Sequence, residues 1–202
     1  MQIRMKENMY KLYTDGSAAK SRSGWGYLLF NDQNNLYVSS GTEEGATNQR
    51  MELMAALQGL QHWALDCATD EQEYTITIYS DSAYLTNCYY DKWYVNWENN
   101  NWLNSKNEPV ANKDLWERLI PFFKCELVSI EKVKSHSGNR YNDLADQLAT
   151  GKLKSSDVYA LTIDEKNDII NMKISEILID YRLSKISVSK AIEDIRKVCK
   201  SG

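Results

Sequence analysis

The chain has 202 residues, 43% of them hydrophobic, and a formal net charge of −4. This length suits one domain with an appendage, and the apolar share is enough to bury a core. The charge excludes a generic basic coat for nucleic acid, although a local groove could still meet phosphates through a few cations, amide donors or metal ions. No apolar run approaches the roughly 20 residues of a membrane helix. Cys67, Cys88, Cys125 and Cys199 form no CxxC pair, and no charged start leads into an apolar signal segment, so a disulfide framework and a zinc cluster are not expected and the compartment reads as a reducing cytoplasm.

Strand signals dominate the first third. Tyr10 to Asp15, Gly24 to Phe30 and Leu36 to Gly41 are short aromatic and aliphatic runs, separated by Ser/Arg/Gly and by the turn-forming cluster Asn31 to Asn35. They predict an antiparallel meander whose first strand ends on Asp15, with Asp15-Gly16 as the exit. Thr47 then caps a helix in which Leu53, Leu57, Leu60 and Ala64 recur on one stripe, with Glu52 one position before it. Tyr74 to Ser80 alternates as a strand and stops at Asp81, and a helix is predicted from Ala83 to about Tyr90.

From Lys92 to Asn112 the chain changes character, placing Trp93, Trp97 and Trp102 among many asparagines. This predicts a short helix and a protruding loop. Asp114 to Phe123 reads as a helix, Glu126 to Val133 as a strand and Tyr141 to Thr150 as a helix. Alternating strands and helices imply parallel pairings covered by helices. The first domain is expected to span residues 1–151 and a C-terminal helical extension residues 152–202. The extension carries ten Lys+Arg against eight Asp+Glu, and residues 1–150 carry fourteen against twenty, so the acidic part is the one bearing the candidate site.

Four carboxylates stand where an α/β sheet gathers its functional groups. Asp15 and Asp81 are placed at strand ends, Glu52 in the first turns of a helix, and Asp143 at the start of the last core helix, so one sheet edge can collect all four. Clustered carboxylates repel unless a cation sits among them, and Mg²⁺ suits a few carboxylates, several waters and substrate phosphates. Two such ions about 4 Å apart would support phosphodiester hydrolysis.

The blocks "YTDGS", "ATNQRMELMAAL", "IYSDSAYL" and "KSHSGNRYNDLADQLA" resemble, in order and across residues 10–150, the signature blocks of type 1 ribonuclease H. The resemblance implies a mixed five-stranded sheet flanked by helices. It also implies a site with two Mg²⁺ ions in the substrate complex, or Mn²⁺ in their place, cleaving the RNA strand of an RNA–DNA hybrid to leave 5′-phosphate and 3′-hydroxyl ends. It assigns Asp15, Glu52, Asp81 and Asp143 as metal-binding carboxylates, with Asp15 touching both ions, and His136 as a histidine serving proton transfer or product release. Asn48 and Gln49 match residues that reach 2′-hydroxyls and bases of the RNA strand, Thr47 and Asn112 a pocket for a DNA phosphate, and Trp93 and Trp97 the aromatic lining of the DNA channel. One departure is the protrusion: from Glu98 to Asn112 its only cation is Lys106, beside Glu98 and Glu108. Fewer phosphate contacts predict weaker hybrid affinity and a shallower salt dependence.

Two other readings compete. Another metal-dependent nuclease of the same fold would share the acids but need not carry "NQRMEL" or the tryptophans, and a non-catalytic hybrid-binding module would tolerate loss of an acid. The extension lacks any precedent in the resemblance. Asp164 is expected to cap a helix through about Tyr181 and Ser187 to cap a second, forming a hairpin that needs another surface: its own core, a second copy or a partner protein.

Overall fold

The computed structural model describes residues 8–68, 72–134, 138–182, 185 and 187–201. Strands β1 (Met9–Ala19), β2 (Arg22–Phe30) and β3 (Leu36–Thr42) form the antiparallel meander, followed by α1 (Asn48–Cys67), β4 (Thr75–Ser80), α2 (Ala83–Tyr90), α3 (Trp93–Asn99), α4 (Lys113–Phe123), β5 (Val128–Lys132) and α5 (Arg140–Thr150). The sheet order is β3-β2-β1-β4-β5, with β1 parallel to β4 and β4 parallel to β5. This is the mixed five-stranded sheet expected from the sequence. Divided by contacts, the chain forms two units, Met1–Ser155 and Ser156–Gly202.

β1 does not end at Asp15. It continues to Ala19 because β2 offers a partner at every step, Asp15 facing Gly26 and Ser17 facing Gly24. The Asp-Gly pair, a turn signal in isolation, is overridden by that ladder, and the hairpin turn falls at Lys20-Ser21. Gly16 has a different use: a Cβ there would lie 2.1 Å from the Glu52 backbone nitrogen, so only glycine lets α1 press against β1 at this point.

Side chains alternate across the sheet. On one face Leu12 meets α1 at Gly59, and Gly16 meets it at Glu52. On the other face the ring of Tyr13 lies 5.2 Å from that of Tyr141 on α5. The α1 face holds the larger core, in which Leu12, Leu53, Leu57, Leu60, Ile76 and Ile78 are fully buried. Fully burying aliphatic side chains of this kind stabilises by about 1.5–3 kcal/mol each. α5 seals the opposite face with Leu144, Ala145, Leu148 and Ala149.

Thr47 is the N-cap of α1, its hydroxyl accepting from the Arg50 amide at 3.2 Å. The Arg50 guanidinium then forks onto Asp114 of α4 with two bonds of 2.9 Å and reaches Glu43 at 2.6 Å. This planar, two-pronged pairing fixes the start of α1 against α4. The protrusion after α3 is ordered by its asparagines: Asn104 Oδ1 accepts from the amides of Lys106 and Glu108, and Leu103 bridges Pro109.

The second unit contains α6 (Ser155–Arg182) and α7 (Val188–Ser201). α6 begins nine residues before the expected cap at Asp164, which therefore lies inside a 28-residue helix. Ser187 does cap α7, accepting from the Lys190 amide at 3.2 Å. Among the described residues no helix is long and apolar enough to cross a membrane.

Candidate active site

Strand register places the first two acids. Tyr13 of β1 is paired with Tyr79 of β4, and two residues further along these parallel strands come Asp15 and Asp81. Neighbouring strands run about 4.8 Å apart, so the two carboxylates leave adjacent strands side by side. Asp15 lies on the α5 side of β1 by alternation, and its Oδ1 accepts from the Gly16 amide at 2.7 Å. Burial first, and then the charge of Asp81, push the Asp15 carboxyl up to about 7, against the pull of the Gly16 amide and with further upward pushes from Asp146 and Glu52. Burial disfavours the charged form, and neighbouring like charges add to that effect.

Glu52 arrives from α1 through the close approach at Gly16. It is held at both oxygens: the Asn48 amide donates to Oε1 at 2.8 Å, and the Ser82 hydroxyl donates to Oε2. Burial raises its pKa, Asp81 raises it further, and the two donors offset part of the rise. Ser82 is also the N-cap of α2, so the same hydroxyl accepts from the Leu85 amide at 3.2 Å. Its position between Asp81 and a helix start is visible in "SDSAYL", but the sequence alone gives no sign that it reaches Glu52.

The fourth acid whose charge acts on Asp15 is Asp146, where the expectation named Asp143. α5 crosses β2 at Gly26, where an added Cβ would lie 2.5 Å from Leu148 Cβ, 3.0 Å from Ala145 O and 3.1 Å from Ala149 N. Gly26 is the register partner of Asp15, so the Ala145 to Ala149 stretch is the part of α5 beside it. Asp146 lies in that stretch and its charge acts on Asp15. Asp143 stands almost a turn earlier, in the first turn of α5, where a carboxylate favours the helix dipole. The block "YNDLADQLA" contains both acids, and the crossing at Gly26 puts Asp146 rather than Asp143 in the stretch of α5 beside Asp15.

The remaining predicted positions divide. Asn48 accepts from the Ala18 amide at 3.1 Å while donating to Glu52, so it ties the end of β1 to the acid it steadies. Gln49 is exposed and lines a hollow of about 570 Å³ with Tyr84, Trp93, Trp97, Asn100 and Asn104. Trp97 is only 8% exposed and lies 5.5 Å from Trp116, so it is mainly a core wall whose edge reaches the hollow; Trp93 is half-buried beside it. Asn112 adopts a left-handed conformation, φ 57°, and its carbonyl accepts from the Leu115 and Trp116 amides to start α4. Asparagine tolerates that conformation better than most residues. His136 lies outside the described residues.

A family model described as RNase H matches residues 7–154. The chain belongs to the RNase H family. It is 43% identical over 146 residues to a ribonuclease H of Syntrophomonas wolfei, covering 71% of this chain and 95% of that protein. With a ribonuclease H of Caldanaerobacter subterraneus the identity is 40% over 154 residues, covering 74% and 95%. Among solved structures, a type 1 RNase H with the type 2 active-site motif shares the fold at a TM-score of 0.57 and 20% identity, covering 73% of this chain and 75% of that one. Membership makes the chain an endoribonuclease acting on RNA–DNA hybrids with a dependence on divalent metal.

The donors at the RNase H site fit such an ion. They are carboxylate oxygens, which hard divalent cations prefer, and the Asp15 carboxyl is raised by burial first and then by the charges of Asp81, Asp146 and Glu52. Among the described residues no three Asp, Glu, His or Cys side chains stand close enough together to hold a metal ion by themselves. An ion that keeps several waters and shares its coordination with substrate phosphate needs no closed cage.

Proposed function

We propose that this RNase H cleaves the RNA strand with two Mg²⁺ ions, replaceable by Mn²⁺, held by Asp15, Glu52, Asp81 and Asp146 when hybrid is seated, and leaves 5′-phosphate and 3′-hydroxyl ends. The observation that carries this reading is the convergence at one sheet edge: Asp15 and Asp81 stand two residues past the paired Tyr13 and Tyr79, Glu52 is brought in where α1 presses on Gly16, and Asp146 lies close enough for its charge to act on Asp15. Bound there, divalent ions supply Lewis-acid polarisation of the scissile phosphoryl group and ease ionisation of the attacking water. Glu52, fixed by Asn48 and Ser82, gives a rigid acceptor beside the site. Asn48 and Gln49 supply amides and carbonyls for the 2′-hydroxyls that distinguish RNA from DNA. Trp93 and the edge of Trp97 line the deoxyribose side, Thr47 and Asn112 flank a DNA phosphate, and His136 serves proton transfer or product release.

The catalytic unit is taken to end at Gly151, the left-handed C-cap of α5. The exposed Leu161, Ile163, Met172 and Ile192 of the extension support a contact with a partner protein or a second copy. Four free cysteines agree with a cytoplasmic location. The test is a gel assay with labelled RNA–DNA hybrid, RNA duplex and DNA duplex, with Mg²⁺ or with chelator. Cleavage of hybrid RNA alone, abolished by chelator, is expected; cleavage of DNA duplex, or hybrid cleavage that survives chelation, contradicts the reading.

A further inference from the structure

The protrusion that follows α3 is poor in available cations. Between Glu98 and Asn112 it carries Lys106 alone, and the nearby Lys124 is committed to Glu98 at 2.8 Å and Lys113 to Glu117 at 3.5 Å. An RNase H that holds a polyanionic duplex has to find its phosphate contacts elsewhere. The β1–β2 turn offers them. Lys20 and Arg22 flank its tip, both are exposed, and among the described residues neither has an ion-pair partner.

The turn is built into the substrate ledge. The Ala18 amide donates to Asn48 Oδ1 at 3.1 Å, and the Ser23 hydroxyl donates to the Ala46 carbonyl at 2.9 Å, so the turn is tied to the segment that begins α1. Between them lies a polar hollow of about 500 Å³ lined by Lys20, Ser21, Arg22, Thr42, Glu44 and Gly45. Arg22 is placed rather than trailing: its guanidinium carbon lies 2.5 Å from where a Gly151 Cβ would be, so it rests on the bare Cα at the end of α5. The negative end of the helix dipole is there to hold it. At about 3.3 Å per strand residue, Ala19 lies roughly 13 Å from Asp15, within reach of the same nucleic-acid strand a few nucleotides from the scissile phosphate.

We infer that Lys20 and Arg22, at the β1–β2 turn, bind backbone phosphates of the RNA strand beyond the Asn48–Gln49 ledge and replace the phosphate contacts the protrusion lacks. The choice of the RNA strand follows from the turn's hydrogen bond to Asn48 and rests on the proposed reading of 2′-hydroxyls by that residue. Glu44, in the same hollow, keeps the site from being a general anion trap and favours phosphates presented at the Lys20–Arg22 rim.

The test compares the full chain with a Lys20→Gln, Arg22→Gln variant. Hybrid binding is measured in chelator across a salt series, and steady-state cleavage is measured in Mg²⁺. The variant should bind with a log–log salt slope shallower by about 2, one for each lost phosphate contact. It should raise KM while kcat changes by less than about twofold, the pattern of a contact made equally in ground and transition states. Neutral methylphosphonate linkages in the RNA strand should weaken wild-type binding and add nothing to the variant's loss; the same linkages in the DNA strand should weaken both proteins alike. An unchanged salt slope, RNA-strand linkages that weaken both proteins equally, or a loss that tracks DNA-strand linkages would overturn the inference. Binding in chelator decides this even if wild-type turnover fails, a result that would instead count against the proposed reaction.

Discussion

Carboxylates in two regions of this molecule behave in opposite ways. On α7, Asp194 accepts from Lys190 at 2.9 Å and Glu193 pairs with Lys197, and each carboxyl is held below its usual range by its lysine. At the sheet edge, Asp15 is raised to about 7 by burial and by Asp81, Asp146 and Glu52. The α7 acids find their cations within one helix turn, an arrangement worth little to stability on an exposed surface. The edge acids are held by backbone register, by Gly16 and by Ser82, and among the described residues the charges that shift Asp15 are those of Asp81, Asp146 and Glu52. An acid that is satisfied within its own helix decorates a surface; acids gathered at one edge, where their charges raise one another, suit a cation from outside.

The largest test of that contrast is removal of the edge charge. Asp15→Asn keeps the volume and should lower Mg²⁺-dependent hybrid cleavage by roughly 10³-fold or more, the equivalent of several kcal/mol of metal-borne stabilisation. Asp194→Asn, which loses only an exposed pair, should leave cleavage unchanged. Steady-state assays of the two variants check both outcomes, and equal losses would erase the distinction.

A second test uses stability. The folded Asp15 carboxyl sits above the unfolded value of 3.8. Between about pH 4 and pH 7 the folded protein holds a proton that the unfolded chain releases, so stability present at low pH is lost as pH rises. In chelator this contributes a fall in stability as pH rises across that window. Urea unfolding of the wild type and of Asp15→Asn at pH 5 and pH 7 isolates it: the variant should lack that component, and identical pH dependence would contradict the placement of Asp15.

These acids also show how much the sequence reveals. Helix stripes and most boundaries were legible because each rests on local periodicity: α1 begins after Thr47 and α2 spans Ala83–Tyr90 as expected. Three features were not. The strand passes through Asp15-Gly16 because β2 pairs with it, α6 runs through Asp164, and Asp146 rather than Asp143 faces the site because of where α5 crosses Gly26. The first and third depend on a partner remote in sequence. The Ser82 bond to Glu52 belongs with them.

The smallest expected effect concerns the second unit. A chain ending after Lys154 should keep kcat on hybrid within about twofold, since the carboxylates and the residues that position them all precede that point. Loss of turnover in a folded truncation, measured at saturating hybrid and Mg²⁺, would make the α6–α7 region part of the catalytic machinery.

The most direct measurement is hybrid cleavage by Asp146→Asn beside Asp143→Asn, in the same Mg²⁺ titration. The geometry predicts that Asp146→Asn loses most of its activity, with higher Mg²⁺ recovering little of it, while Asp143→Asn stays within a fewfold of wild type. The reverse pattern, with Asp143→Asn inactive and Asp146→Asn near normal, would contradict the site described here.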